Sequence, residues 1–186
     1  VEECHSTGNF LTLFTPRTQP EPSIADFTLP VQYRRQIAEQ LRAMGVAPED
    51  WLARSQLSPR RLDEPGFQPD FAVFRPLIEA ALTLTGEPAF GLLIGERLVV
   101  HTHGLLGLAA LQSESPRQAL HLLQRYLALR TTLFDLEHEH DAAAGVEHIR
   151  FRANYALGAS ERPLQEAVML AIKHVFDAIT LGAARP

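Results

Sequence analysis

Two His-x-His pairs, His101-Thr102-His103 and His138-Glu139-His140, come nearest in this sequence to the spacing of metal chemistry. On a strand both imidazoles of a pair leave one face about 6.5–7 Å apart along the backbone, and zinc can bridge them once a third ligand folds in. No His-Glu-x-x-His or Cys-x-x-Cys run offers that ligand. The expectation is therefore no metal site, with His103 and His138 either structural histidines that satisfy their own hydrogen bonds or contacts to a small ligand. A metal or haem sensor built on these pairs is the less favoured alternative.

Other reactive arrangements fare worse. There is no Gly-x-Ser-x-Gly nucleophile elbow, Cys4 lies in an N-terminal tail, and Ser113, Ser115 and Ser160 sit where helices should begin. The glycines at 91, 95, 104 and 107 match neither a phosphate-binding loop nor a dinucleotide fingerprint. The carboxylates from Glu137 to Asp141 share a stretch with arginines that can pair with them, which reads as a solvated ion-pair face. No catalytic residue and no cofactor is predicted, so the chain is expected to bind and not to catalyse.

The elements that would position these residues are mostly helical. Val31 to Met44 carries Ile37, Ala38, Leu41 and Met44 at helical spacing, with Gly45 as the stop. Pro48 opens a short helix holding Trp51 and Leu52, and Asp70 caps one running to Thr85 across an internal Pro76. Pro88 starts a further turn through Phe90, and Arg97 to His103 reads as extended because Leu98, Val99 and Val100 favour a strand. Ser115-Pro116-Arg117-Gln118 combines a Ser cap, Pro at the first helical position and Gln three residues on, opening a helix to about Arg130. The period then becomes two. Phe134, Leu136, His138 and His140 alternate with acids, and Ile149, Phe151, Ala153 and Tyr155 alternate with Arg150 and Arg152. An antiparallel hairpin over about 133–155 follows, burying the Phe134/Phe151 face. Ser160 is expected to cap a long last helix with Leu164, Val168, Ile172, Val175, Phe176 and Ile179 on one stripe, ended by Gly182.

The fold class predicted is α+β, mainly helical, with a small antiparallel sheet and a long C-terminal helix. With 186 residues and 46% hydrophobic content the chain suits one soluble domain. Its single cysteine excludes an internal disulfide and points to a reducing, cytoplasmic setting. A net charge of -5 disfavours a direct grip on nucleic acid, and no apolar run reaches the length of a membrane span, so no membrane partner is expected. Residues 1–22, with Pro16, Pro20 and Pro22, read as a Pro-rich leader, and 23–186 as the folded domain starting near Ile24. A start at Val1 and a stop at Ala184-Arg185-Pro186 read as a piece of a longer protein.

Three neighbouring stretches carry a resemblance: Thr85-Gly86-Glu87-Pro88-Ala89-Phe90-Gly91-Leu92-Leu93-Ile94-Gly95, His103-Gly104-Leu105-Leu106-Gly107-Leu108-Ala109, and Ser115-Pro116-Arg117-Gln118-Ala119-Leu120 followed by Tyr126. With Leu41 to Gly45 and Trp51 to Arg54, they resemble the N-terminal, arabinose-binding-like effector domain of AraC/XylS-type transcription regulators, in the branch with ornithine-utilisation regulators. The resemblance covers about residues 24–182. It implies a ligand-sensing, homodimerising domain whose helix-turn-helix half, absent here, would contact DNA. The effector expected is an amino acid or a related acid. Its cavity would lie between the Phe90 to His103 segment, the Tyr126 helix and the inner hairpin face. Candidate polar contacts are His103, His138 and Tyr155, with Phe90, Phe134 and Phe151 as walls. The Leu164 to Ile179 stripe is the expected dimer contact. The alternative is a pure oligomerisation or protein-docking domain without a ligand.

Overall fold

The computed structural model describes residues 31–183 apart from 63, 65, 66 and 68. The Pro-rich leader, Cys4, the fold start near Ile24 and the terminal Ala184-Arg185-Pro186 lie outside the described residues. Seven α-helices and one two-stranded antiparallel sheet make up these residues: α1 Val31–Ala43, α2 Pro48–Arg54, α3 Phe71–Thr85, α4 Phe90–Arg97, α5 Gly104–Leu111, α6 Pro116–Tyr126, β1 Phe134–Asp141, β2 Val146–Ala153 and α7 Glu161–Ala183. This is the predicted mainly helical α+β class, with the long helix last.

Local signals set several boundaries. Asp70 accepts a hydrogen bond from the Val73 amide at 2.9 Å, capping α3, and the helix runs through Pro76 to a left-handed Gly86. Ser115 accepts from the Gln118 amide at 3.2 Å, and Gln118 Oε1 accepts in turn from the Glu114 amide, one residue earlier than a standard capping box. In the hairpin Phe134 faces Ala153, Leu136 faces Phe151 and His138 faces Ile149. The other face is the expected ion-pair surface, with Arg152 on Asp135 at 2.7 Å and Arg150 on Glu139 at 3.1 Å.

The core is organised around α7, which packs along α4 and also meets α5 and α6. Its Ala167 and Ala171 join a cluster with Trp51, Phe74, Leu77 and Phe90; Ile172 joins Leu120, Leu123 and Leu136; Val175 and Ile179 join Ala110 and Ala119. The closeness of α4 and α7 depends on glycine. A Cβ at Gly95 would stand 2.8 Å from Leu170 Cβ, and one at Gly91 would overlap the Pro163 backbone. Trp51, only 1% exposed, donates its indole N–H to the Leu77 carbonyl at 2.7 Å and so ties α2 to α3.

Four boundary expectations are corrected. Leu98 to Val100 is not a strand: α4 extends to Arg97, and Val100–His103 is a 3-10 turn. β-branched residues favour a strand only where a pleated surface receives them, and the two strands of this sheet pair with each other alone. Ser160 does not cap α7; its hydroxyl, fully buried, donates to the Leu157 carbonyl at 2.6 Å within a 3-10 turn. Gly182 does not end α7, which continues to Ala183; one glycine costs a helix about 1 kcal/mol relative to Ala and does not break it. The helix from Pro116 stops at Tyr126, and Leu127–Leu129 forms a 3-10 turn that presents Arg130. No single helix among the described residues is long and apolar enough to cross a membrane.

Candidate ligand-binding cavity

A cavity of about 120 Å³ lies among α1, α3, α4, α5, α6 and α7. An engineered apolar cavity of about 150 Å³ admits benzene, so this one has the scale of a small organic molecule. Phe74 and Ile78 of α3, Phe90, Gly91 and Ile94 of α4, Leu123 of α6, and Leu164, Ala167, Val168 and Ala171 of α7 form its apolar walls. Among the described residues no Asp or Glu lines it. Its polar groups, Tyr33, His103, Arg130 and Thr131, come from α1 and from the ends of the 3-10 turns Val100–His103 and Leu127–Leu129.

Three of these groups form a connected chain. His103 Nε2 lies 3.3 Å from the Leu98 carbonyl, which can only accept, so that nitrogen carries the ring proton. Nδ1 is then free to accept from the Tyr33 hydroxyl at 3.1 Å. Tyr33 Oη accepts from Arg130 Nη2 at 3.4 Å, and the same Nη2 donates to the Thr102 carbonyl at 3.3 Å. Burial pushes the His103 imidazole below its usual 6.5; the Arg130, His174 and His101 charges add to this, while the Leu98 carbonyl opposes it. A neutral ring is the form this hydrogen-bond chain requires. The Arg130 guanidinium also stands 5.5 Å over the Tyr33 ring, and its Nε–H is buried without a partner.

Of the six residues expected to contact a ligand, Phe90 and His103 line this cavity and the other four do not. Phe134 and Phe151 meet edge to face, 6.2 Å apart, in the packed core beneath the hairpin. Tyr155 stacks on Phe71 at 5.1 Å and donates to Thr132 Oγ1 at 3.1 Å, beside a separate surface recess lined by Phe71, Arg75 and Pro76. His138 is bound to Glu147, which also accepts from Arg117 and lies 3.0 Å from His140 Nδ1, and the His138 ring lies 5.2 Å from His121. The cavity is thus closed by α7, α1 and α3 where the hairpin face was expected, because the inner hairpin side chains pack on α6. Tyr126 points outward, 41% exposed. Among the described residues no three His, Cys, Asp or Glu side chains converge on a common metal position.

Tyr33 and Arg130 were not singled out from the sequence. Arg130 carried one usable signal: its neighbours three and four positions away are Tyr126, Leu127, Leu133 and Phe134, so no carboxylate is placed to pair with it locally. Tyr33 carried none beyond a place on the α1 stripe.

Comparison with known proteins gives a consistent result. The family described as the arabinose-binding domain of AraC transcription regulators, N-terminal, matches residues 45–186. The chain is 32% identical over 109 residues to the ornithine utilization regulator of Pseudomonas aeruginosa, an alignment covering 59% of this chain and 32% of that protein. It is 29% identical over 119 residues to HTH-type transcriptional regulators, described as uncharacterized, of Mycobacterium bovis and Mycobacterium tuberculosis, covering 62% of this chain and 34% of each. The chain spans about a third of the length of these relatives.

Proposed function

The chain belongs to the N-terminal arabinose-binding domain family of AraC transcription regulators, and from that premise we propose that it senses a small-molecule effector held in the central cavity. Its family and relatives are transcription regulators and not enzymes. The observation that carries the reading is the cavity itself: apolar walls from six helices, with Tyr33, His103 and Arg130 gathered at one place. A concave, mostly apolar site with a few convergent polar groups is the usual form of a small-ligand pocket.

Coupling to DNA would run through a helix-turn-helix half beyond this chain. α7 supports this reading because it lines the cavity with Leu164, Ala167, Val168 and Ala171. An effector that binds one arrangement of α7 more tightly than another biases the population by that difference in affinity alone. Homodimerisation and a cytoplasmic location complete the proposal. The α7 stripe is not a free dimer face, since Ala171, Ile172, Val175 and Ile179 are buried in the protomer's own core. Self-association would use another surface.

The test is a thermal-shift panel of sugars, amino acids, amines and carboxylic acids against the chain, with mass read by light scattering in the same buffer. A dose-dependent rise in melting temperature supports the sensor reading. A stable dimer that responds to no compound supports an oligomerisation domain instead.

A further inference from the structure

Arg130 is a cation at an apolar cavity with no anion beside it among the described residues. Its Nη2 has only the Tyr33 hydroxyl and the Thr102 carbonyl, at 3.4 and 3.3 Å, and its Nε–H is buried and unpartnered. Among the described residues the cavity lining contains no carboxylate that could pair with it. Arg130 has N–H groups left over where a ligand would sit. Arg130 is partly buried, and an arginine fork matches a carboxylate in shape as well as in charge.

We infer that the effector is an apolar monocarboxylate, its carboxylate on Arg130 and its hydrocarbon tail against Phe90, Leu164 and Ala171. The inference rests on the effector reading above and narrows it. An amino acid fits poorly, because its ammonium would enter a cavity that has no Asp or Glu to receive it. A free sugar fits poorly for the opposite reason: most of its hydroxyls would exchange water for aliphatic walls. A cavity of about 120 Å³ suits a tail on the order of a benzene ring or a six-carbon chain. Tyr33 and His103 act as positioning residues, holding the guanidinium at the mouth of the apolar space.

The experiment uses ligands with matched tails. Hexanoate, hexan-1-ol, hexylamine and norleucine are titrated into the 186-residue chain by calorimetry, with benzoate and L-arabinose alongside. Hexanoate should bind at least about tenfold more tightly than hexan-1-ol, hexylamine or norleucine. Arg130→Gln should remove that advantage and leave hexan-1-ol unchanged, while Arg130→Lys, a point charge without the fork, should keep part of it. Equal affinity for hexanoate and norleucine, or full hexanoate affinity in Arg130→Gln, overturns the inference. The wild-type comparison decides the question even if a variant fails to fold. If arabinose, hexylamine or norleucine binds and hexanoate does not, the effector reading stands and the carboxylate inference falls; if nothing in the panel binds, both fall.

Discussion

Tyr33 and His103, 70 positions apart in sequence, meet at 3.1 Å, the tyrosine hydroxyl donating to Nδ1 of a ring whose other nitrogen donates to the Leu98 carbonyl. This bond joins α1 to the turn before α5, and Arg130 completes it by donating to the same hydroxyl. The polar end of the cavity is therefore a fixed sequence of donors and acceptors, and each link can be cut singly.

Tyr33→Phe keeps the ring and removes the link. His103 Nδ1 then loses its donor and Arg130 one of its acceptors. The expected loss is about 1 kcal/mol of stability, read as a melting temperature lower by roughly 2–4 °C for a domain of this size. An unchanged melting curve would mean that the Tyr33 hydroxyl is solvated and the chain of bonds is not formed.

His103 makes stability depend on pH in a defined direction. Burial lowers its pKa in the folded state below 6.5, so the folded protein binds this proton less readily than the unfolded chain. Its contribution is complete above pH 6.5 and declines as pH falls below that value. Melting temperatures of wild type and His103→Gln, compared from pH 8 to pH 5, should converge toward the acid end. Parallel curves would show that His103 titrates as a free imidazole.

A second, lower window belongs to Glu147. The His138 hydrogen bond, followed by the Arg117 contacts, pulls its carboxyl from 4.5 to about 2. A carboxyl depressed in the folded state adds stability above its unfolded pKa, and that stability is lost as pH falls from about 4.5 toward 2. Glu147→Gln should flatten the acid limb of the stability curve in that window. A variant as acid-sensitive as wild type would contradict the assignment.

Gly91→Ala tests the α4–α7 approach that shapes one wall of the cavity. The added methyl would meet the Pro163 backbone, which cannot turn aside as a side chain can. Overpacking of this kind costs about 1–3 kcal/mol. Denaturant unfolding of the variant should show a lower midpoint; an equal midpoint would mean the two helices stand farther apart than described.

What the sequence made legible was local. Asp70 and Ser115 announced their caps because a capping side chain reaches an amide only three residues away. The hairpin was readable because alternation over eight residues allows one buried face, with Phe134 and Phe151 on it. Leu98 to Val100 misled for a related reason: their strand preference is real, but Gly107 lets α5 fold back against the Val100 carbonyl, and no strand edge is offered to them. The polar cluster was least legible. Tyr33 lies 97 positions from Arg130, and no periodicity or spacing connects residues that only the packing of α1 against the core brings together. Four of the six expected ligand contacts were chosen as aromatic or polar residues on the hairpin side, where Phe134 and Phe151 pack on each other and His138 is held by Glu147.

The central claim, that the effector occupies the cavity, is tested most directly by filling it. Ala171, 5% exposed on α7, faces the cavity, and Ala171→Leu would place the larger side chain where the ligand tail should lie. The tightest-binding compound of the panel is titrated against both proteins while melting temperature is recorded. At 100 times its dissociation constant it should add about 2.7 kcal/mol to the wild type, a rise of several degrees. The account predicts a folded Ala171→Leu protein that melts at or above the wild-type temperature and shows no ligand-dependent rise. The same dose-dependent rise in both proteins would place the ligand elsewhere and contradict it.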